Sequence, residues 1–462
     1  MTAQRTSRHT WGRAGAAAFV AAAILLASGP SLLAQEIEES PTNHAVPFWT
    51  GGIAGSGEGS PGGEGVPPNL YSLRGAYLLT PVKNQGACGS CWAFATYGAM
   101  ESNILVEGGS AEDLSENHLK NYHGFDWGPC EGGNIWLSMA YLSRLDGPVA
   151  ESDDPYHASD DRPSPGGPRQ LFLRQSSISY DPNAIKSAVM TTGALHTSMY
   201  YDGGYYNSGA YTYRYTGDEV PNHAVDIVGW NDNKVVPGAV APGAWEIRNS
   251  WGAGWGDGGY FWISYEDTRA CDYGATFEPD PPGVAQRVYY HDYYGAVSYL
   301  NSPYCYNVFT ATEDEKLCAV GLYAYEDGAD YDVRIYDTTV GGGPAGFLAQ
   351  KTGTLTEGFH VVDLDSLIDI DAGDDFVVYL YITNGGTYPL AFDKALAGYS
   401  SGSTANAGES FYSFDGVNWT DLTTYDATAN FAVKVYSIPE PASMLLMGLG
   451  IAGGLLARRR RR

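Results

Sequence analysis

The chain has 462 residues and a formal net charge of −27, and at about 100–200 residues per domain its length predicts two or three domains. Aromatic side chains make up 13% of the residues, which excludes an intrinsically disordered protein. Acidic residues (53) outnumber basic residues (26), and this argues against a nucleic-acid partner, because phosphate contacts require clustered Lys and Arg.

The first 34 residues have the order of a secretory signal peptide. A basic start precedes an apolar run from Ala14 to Ala27, and a small-residue cleavage site follows and ends at Ala34. A buried N-terminal helix is the alternative interpretation. Residues 35–66 are rich in Gly, Pro, Ser and Glu, which predicts a flexible linker.

Globular composition begins at Pro67. Residues 88–104 carry apolar side chains at near-helical spacing, which predicts a helix, and residues 152–168 form a polar, Pro-rich loop. From about Tyr200 onward the pattern changes to strands separated by Gly turns. The run Asp280–Gly283 (DPPG) is a candidate domain boundary.

Beyond this boundary, residues 285–437 alternate in short predicted strands separated by turns such as Asn384-Gly385-Gly386. Examples of these strands are Val333–Tyr336, Phe376–Ile382 and Asn430–Tyr436. Regularly spaced strands and turns predict an antiparallel β-sandwich.

The C-terminus combines three features in a fixed order. Pro439-Glu440-Pro441 precedes a mostly apolar stretch from Ala442 to Ala457, and five arginines end the chain. At about 1.5 Å per residue the stretch is short for a hydrocarbon core of about 30 Å, but flanking arginines make it sufficient. Residues 438–462 resemble the PEP-CTERM sorting signal of Gram-negative bacteria. The resemblance implies an exported cell-surface protein, at least transiently membrane-anchored, and processing by an exosortase-type enzyme; an uncut tail anchor is the alternative.

Three separated segments carry the residues that thiol catalysis requires. They run from Pro81 to Phe94 (PVKNQGACGSCWAF), from Asn222 to Val225 (NHAV) and from Ile247 to Gly256 (IRNSWGAGWG). Together they resemble the papain family of cysteine proteases, whose CGSCW-type run is followed far downstream by a His and an Asn. The resemblance implies an α+β fold for residues 67–280, with a helical lobe and a β-rich lobe, and an endopeptidase acting on protein or peptide substrates.

The resemblance assigns the nucleophile to Cys91, the acid and base to His223, and the orientation of the imidazole to Asn249. A thiolate is the reactive form of cysteine, and both a helix N-terminus and a neighbouring imidazolium stabilise it. Gln85, together with the backbone N–H of Cys91, would form the oxyanion hole that stabilises the negative oxygen of the tetrahedral intermediate.

Further roles follow from the same resemblance. Trp251 would shield the bond between the histidine and the asparagine from water. Gly132 and Gly133 would let a substrate backbone approach and pair as a strand, although a simple turn is the alternative. A disulfide would join Cys88 to Cys130.

Other interpretations of these residues remain open. His196 is the nearest rival base, but it lies outside the three segments. The CxxC pattern of Cys88 and Cys91 also suits a redox motif or half of a zinc site, although the chain has no second CxxC. A catalytically silent surface adhesin or matrix protein on the same scaffold, and a transpeptidase that passes the acyl group to an amine, are the alternative functions.

Export permits disulfides in the remaining cysteines. Cys305 and Cys318 would close a short loop inside the predicted β-sandwich. Cys271 is then unpaired, or is the partner of one of them.

The order of the two predicted domains resembles that of bacterial papain-like proteases that carry a lectin-like β-domain, which implies a lectin-like fold for residues 285–437. Carbohydrate is a candidate ligand, because exposed Tyr, Trp and Asp side chains could stack on it and hydrogen-bond to it. No cofactor is expected for catalysis and no metal-ligating residue is assigned. A cluster of aspartates is a candidate Ca²⁺ site, with a solvated acidic loop as the alternative. The cluster consists of Asp363, Asp365, Asp369, Asp371, Asp374 and Asp375.

Overall fold

The computed structural model describes residues 67–159, 166–283 and 285–439. The predicted signal peptide, the linker and the apolar C-terminal stretch from Ala442 to Ala457 lie outside these ranges. No helix within the described ranges is long and apolar enough to cross a membrane. All described residues belong to one compact unit. We call residues 67–283 the N-terminal part and residues 285–439 the C-terminal part.

Every α-helix of the described chain lies in the N-terminal part. The helices are α1 (Cys91–Val106), α2 (Glu116–Tyr122), α3 (Ile135–Ser143) and α4 (Pro182–Thr191). Helix α1 is buried on all sides from Cys91 to Asn103, because the rest of the N-terminal part packs around it. Side-chain caps start the next two helices: Ser115 accepts from the N–H of His118 at the start of α2, and Asn134 caps α3.

The N-terminal part also contains ten strands in the described residues. They are β1 (Leu70–Ser72), β2 (Phe172–Ser179), β3 (Leu195–Met199), β4 (Tyr206–Asn207), β5 (Thr212–Tyr213), β6 (His223–Asn231), β7 (Ala244–Arg248), β8 (Tyr260–Ser264), β9 (Gly274–Ala275) and β10 (Glu278–Asp280). Most of them follow α4, so that a helical half precedes a β-rich half. Strand β6 pairs antiparallel with both β3 and β7.

The C-terminal part is built of strands and one short 3-10 turn in the described residues. The strands are β11 (Arg287–Tyr289), β12 (Ser298–Asn301), β13 (Tyr304–Thr310), β14 (Glu315–Ala324), β15 (Ala329–Val340), β16 (Gly343–Leu355), β17 (Gly358–Ile370), β18 (Asp375–Thr383), β19 (Pro389–Asp393), β20 (Ser410–Ser413), β21 (Thr420–Asp421), β22 (Asn430–Phe431) and β23 (Lys434–Pro439). One sheet has the order β16-β15-β18-β13-β20-β21, and β11-β23-β14-β17 belong to another. Alternate side chains such as Val333, Val378 and Val435 fill the core that these sheets share. The predicted α+β class with a C-terminal antiparallel β-sandwich is confirmed.

The two parts share one continuous sheet, which the candidate boundary at residues 280–283 did not lead us to expect. Strand β17 pairs antiparallel with β2, with Gly358 opposite Ser177. A Cβ atom on Gly358 would lie 1.9 Å from the carbonyl oxygen of Ser176, and its φ is +128°, so only glycine permits this approach. The described strands of the N-terminal part and the β11-β23-β14-β17 sheet therefore form a single sheet of 14 strands.

The parts also share a hydrophobic core. The rings of Phe172 and Tyr436 meet edge to face at 5.0 Å, and the rings of Trp136 and Tyr325 lie 5.9 Å apart. The hydroxyl of Tyr436 donates to the carbonyl oxygen of Ser143, at the end of α3, at 2.8 Å. Burial of these aromatic side chains on both sides makes the C-terminal part a structural support of the helical half.

The predicted disulfide between Cys305 and Cys318 is wrong: both residues are thiols. Cys305 lies in β13 and is fully buried in the core between the two C-terminal sheets. Cys318 lies in β14 of the other sheet and packs against the core shared with the helical half, where its thiol donates to the carbonyl oxygen of Tyr436 at 3.3 Å. The two side chains therefore lie on opposite faces of the sheet that contains β14. Cys271 is also a buried thiol.

The aspartates of the candidate calcium site do not converge on one point. Asp363 forms an ion pair with Arg174 at 2.7 Å, and Asp365 pairs with Lys351. Asp369 pairs with a third cation, Lys316. Among the described residues, no three or more His, Cys, Asp or Glu side chains are arranged to hold a metal ion. Each of these three carboxylates is paired with a different cation, so they do not form a shared oxygen site.

Candidate active site

Cys91 is the first residue of α1, and its side chain is 6% exposed. Its Sγ accepts the backbone N–H of Ala224 at 3.4 Å, which places the start of α1 against the start of β6. Burial raises the pKa of the Cys91 thiol, while the backbone N–H groups of Ala224, Trp92 and Cys91 itself act in the opposite direction. The sulfur thus lies where backbone donors stabilise a negative charge.

His223, at the start of β6, is bonded to Asn249, which follows β7: its Nε2 lies 2.8 Å from the Oδ1 of Asn249. The same Oδ1 accepts the backbone N–H of Ser250 at 2.8 Å. Because a backbone N–H is always a donor, this second bond assigns the amide orientation, and Nε2 of His223 must carry a proton. In the neutral imidazole, Nδ1 is then the nitrogen able to accept a proton.

Aromatic rings enclose the histidine. Trp251 stacks on His223 with ring centroids 4.6 Å apart and an interplanar angle of 20°, and Tyr201 meets the Trp251 ring edge to face. Burial lowers the pKa of His223 to about 4, although the hydrogen bond to Asn249 raises it. The sequence did not single out Tyr201; its position in a Tyr-rich stretch carried no signal for this contact.

Gln85 is held by two bonds that orient its amide. Nε2 donates to the carbonyl oxygen of Cys88 at 2.8 Å, and Oε1 accepts from the hydroxyl of Ser250 at 2.6 Å. The Gln85 backbone is held as well, because the hydroxyl of Tyr156 donates to its carbonyl oxygen at 2.7 Å. An amide nitrogen has two hydrogens, so one N–H of Gln85 remains to donate to another acceptor.

A disulfide joins Cys88 to Cys130 and ties the segment before α1 to the predicted Gly-Gly pair. Gly132 has a φ of +107° and open space where a Cβ would lie. A Cβ on Gly133 would lie 2.2 Å from Cε2 of Trp92, so close packing against the residue after the nucleophile requires glycine there.

Comparisons with known proteins agree with this geometry. Residues 68–277 match the family described as papain family cysteine protease. We call these matching residues the papain-family domain. Residues 288–437 match a lectin-like domain, and residues 437–462 match the PEP-CTERM protein-sorting motif. All three resemblances found in the sequence are thereby confirmed.

Curated relatives match the papain-family domain. A viral cathepsin of Heliothis zea nuclear polyhedrosis virus is 33% identical over 208 residues, which are 44% of this chain and 54% of the viral protein. Pro-cathepsin H of Bos taurus is 33% identical over 215 residues, covering 43% of this chain and 59% of the relative. Cathepsin K of Mus musculus is 30% identical, covering 46% and 64%. The chain thus spans only about half to two thirds of the length of these relatives.

A solved structure matches both domains together. It is the crystal structure of the cysteine protease and lectin-like domains of Cwp84, a surface layer associated protein of Clostridium difficile. Its TM-score is 0.73 at 27% sequence identity, and the match covers 82% of this chain and 91% of that chain. The arrangement of a papain-family domain followed by a lectin-like domain is therefore shared.

A buried ion pair of the β-rich half lies where that half meets helix α1. Nε and Nη2 of Arg248 donate to Oδ2 of Asp226 at 3.0 and 2.8 Å, which ties β7 to β6 beside Asn249 and His223. The pair passes over Gly98 of α1, where a Cβ would lie 2.1 Å from Nη2 of Arg248. Glycine at this position therefore lets the nucleophile helix approach the strands that carry the base.

The rival base, His196, does not join this site. It lies in β3 and is fully buried, between the rings of Tyr273 and Phe277 at 6.2 Å each. Burial lowers the pKa of His196 to about 3. His196 pairs in register with Asp226 of β6. The residue of β3 that lies opposite His223 is Met199. His196 is therefore a core residue of the papain-family domain.

Proposed function

We propose that this chain is an exported cysteine endopeptidase that hydrolyses peptide bonds through an acyl-enzyme on Cys91. The observation that carries the proposal is the meeting of Cys91 with the start of β6, which begins with His223 bonded to Asn249. The curated relatives include cathepsins, and the clostridial neighbour is described as a cysteine protease.

In this mechanism, the thiol proton of Cys91 passes to Nδ1 of His223, and the resulting thiolate attacks the peptide carbonyl carbon. The carbonyl oxygen becomes negative and accepts from the remaining N–H of Gln85 and the backbone N–H of Cys91. Collapse of the tetrahedral intermediate breaks the C–N bond, and the amine takes the proton from His223. Water, deprotonated by His223, then attacks the thioester and releases the carboxylic acid and Cys91.

The other site residues support these steps. Asn249 holds the imidazole with Nδ1 unprotonated, and the stacked Trp251 keeps water from their hydrogen bond. The open space above Gly132, beside the closely packed Gly133, would receive the substrate backbone as a paired strand.

Digestion of denatured casein by the full chain tests the proposal, with a mild reductant present. We expect new peptide N-termini to appear, and we expect prior alkylation with iodoacetamide to abolish them. Folded chain without any cleavage would favour a silent adhesin or matrix protein on a papain scaffold. Transfer of the acyl group to an added amine, in place of hydrolysis, would identify a transpeptidase.

The pH dependence of cleavage is expected to follow the His223–Cys91 pair. The reactive state carries one proton shared by the pair, so kcat/KM should be level from about pH 5 to 8. The value of kcat/KM should fall as the pH drops through about 4, because burial lowers the pKa of His223 to about 4. Below this pH both ring nitrogens of His223 carry a proton, so the imidazole cannot accept the proton of the Cys91 thiol. Initial rates across the pH range measure this. An acid limb at the ordinary histidine pKa would contradict the buried position of His223.

Asn249→Ala serves as the control for the pH profile. It removes the hydrogen bond that raises the pKa of His223, so the acid limb should move to lower pH while kcat falls.

Replacing Gln85 by alanine is expected to lower kcat by about 100- to 1000-fold with little change in KM, because one oxyanion donor is lost. Steady-state kinetics with labelled casein measure both constants. Gln85→Glu keeps the side-chain shape but has no N–H to donate. Full activity of Gln85→Glu would rule out the oxyanion role.

We also propose that the lectin-like domain binds carbohydrate on the outer face of its six-stranded sheet. Tyr304 and Tyr381 lie side by side there at 5.2 Å and are partly exposed. On the neighbouring strands, Asp332 accepts from Arg334 at 2.6 Å and from Gln350 at 2.9 Å. Aromatic faces beside planar polar groups suit the apolar faces and hydroxyls of sugars. Loss of binding to an oligosaccharide array in Tyr381→Ala checks the assignment.

For location, we propose that the chain is exported to the cell surface of a Gram-negative bacterium. Residues 438–462 would anchor it in the membrane until an exosortase-type enzyme removes them. The match to the PEP-CTERM motif and the surface-layer origin of the clostridial neighbour support this. Deletion of residues 438–462 should release the protein from the membrane fraction into the medium.

A further inference from the structure

Residues 123–134, which we call the seam loop, lie between the nucleophile helix and the lectin-like domain. On the catalytic side, the loop is held by the disulfide of Cys130 and by a bond from the N–H of Gly89 to the carbonyl oxygen of Cys130 at 3.1 Å. Gly133 of the loop packs directly on Trp92. The position of the loop relative to Cys91 is thus set partly within the papain-family domain.

On the opposite side, the lectin-like domain hydrogen-bonds the seam loop. The backbone N–H of Asp126 donates to the carbonyl oxygen of Tyr399 at 2.9 Å. The carboxylate of Asp126 accepts from the hydroxyl of Ser401 at 2.7 Å and from its N–H at 3.1 Å. Three hydrogen bonds therefore join the seam loop, which connects α2 to α3, to the segment that connects β19 to β20.

Aromatic packing reinforces these bonds. The ring of Tyr399 lies 4.8 Å from that of Phe125 and 5.4 Å from that of Trp127. Its hydroxyl accepts from Nδ2 of Asn134 at 3.4 Å. Asn134 directly follows Gly133 and caps α3. Tyr399 thus contacts the seam loop before and after the Gly-Gly pair.

A second lectin-like segment holds the beginning of the seam loop. Gly124 has a φ of +83°, and a Cβ there would lie 2.4 Å from the ring of Tyr293. The guanidinium of Arg144 lies 3.9 Å from the centroid of the Tyr293 ring and donates to the carbonyl oxygen of His123 at 3.1 Å. The lectin-like domain therefore contacts the loop at residues 124–127 and at Asn134.

We propose that the lectin-like domain holds the seam loop in the position that binds peptide substrate, with Tyr399 and Ser401 as positioning residues. The inference rests on the proposed peptidase function and extends it to substrate binding. Strand-like pairing of a substrate with Gly132 requires the loop backbone to be fixed before binding, because ordering it on binding reduces affinity. The lectin-like domain thereby takes part in substrate recognition without contacting the reacting atoms.

The test compares Tyr399→Ala and Ser401→Ala with the parent, all as the full chain. KM and kcat are measured with fluorescein-labelled casein, and the rate of Cys91 alkylation by iodoacetamide is measured separately. We expect KM to rise about tenfold in Tyr399→Ala and about threefold in Ser401→Ala, with kcat and the alkylation rate within about twofold of the parent. Tyr336→Ala is the matched control, because Tyr336 is a partly buried lectin-like tyrosine away from the seam and should leave KM unchanged.

An unchanged KM in both seam variants would overturn the inference while leaving the peptidase function intact. A parallel fall in kcat and alkylation rate would also overturn it, since the contacts would then support the whole site. A parent that does not cleave would refute the peptidase function first and this inference with it. If Tyr399→Ala does not fold, Tyr399→Phe, which removes only the bond from Asn134, and Ser401→Ala decide the question.

Discussion

Cys91→Ala is expected to lower cleavage of denatured casein by about 10⁵-fold or more, because residual catalysis by binding and oxyanion stabilisation is small without a nucleophile. Only the sulfur atom is removed from a side chain that already packs at the start of α1. The fold should therefore persist. Cleavage assays and circular dichroism on the purified variant measure the two effects.

Cys271→Ala is the matched control for this substitution. Cys271 is likewise a buried thiol, but it packs in the core of the β-rich half with residues such as Met199 and Ile263. This variant should keep its activity and its iodoacetamide-sensitive thiol. Cys91→Ala should lose both. Equal cleavage by Cys91→Ala and the parent would mean that another residue is the nucleophile, or that a contaminant cleaves the casein.

Asp292→Ala is expected to lower the free energy of unfolding by about 3–5 kcal/mol at neutral pH, because it leaves a buried ammonium without its partner. Asp292 and Lys434 form an ion pair in which both side chains are 0% exposed. Burial lowers the pKa of Lys434, and Asp292 raises it. The nearby carboxyl group of Asp393 is held instead by the backbone N–H groups of Tyr294 and Asn430.

Urea denaturation followed by fluorescence measures this loss. The double variant Asp292→Leu with Lys434→Met removes both charges, and it should be far closer to the parent in stability, since apolar replacement of a buried pair is often neutral. Lys351→Met, which breaks an exposed pair with Asp365, should cost less than about 1 kcal/mol. An equal loss in the single and double variants would show that packing, and not the unpaired charge, is responsible.

The residues of the candidate site are recognisable from the amino-acid order, because each lies in a short segment with its own signature. Cys91 is the second cysteine of a CxxC pattern and opens a helix, His223 begins an apolar strand, and Asn249 follows another. Contacts that cross between segments left no such signature. Ser250, which orients both Gln85 and Asn249, stood next to a predicted residue without a role of its own.

The error at Cys305 and Cys318 has a related cause. Closeness along the chain suggested a disulfide, but the face of a strand on which a side chain lies depends on strand pairing. In β14 the register shifts between Leu317 and Ala319, next to Cys318, and its side chain packs toward the helical half. The short separation of the two cysteines along the chain therefore did not indicate in which core each thiol packs.

The candidate catalytic residues, the predicted signal peptide, the sorting motif and the order of the two domains can be read from composition and motifs, because these depend on near neighbours in the chain. The joining of the domains emerges only when the chain folds. The hydroxyls of Ser177 and Thr356 meet at 2.9 Å across 179 positions of sequence, where β2 pairs with β17. The amino-acid sequence does not specify which strand edges will pair, since the backbone hydrogen-bonding groups are alike in every residue. The edges of β2 and β17 are brought together only when both hydrophobic cores pack.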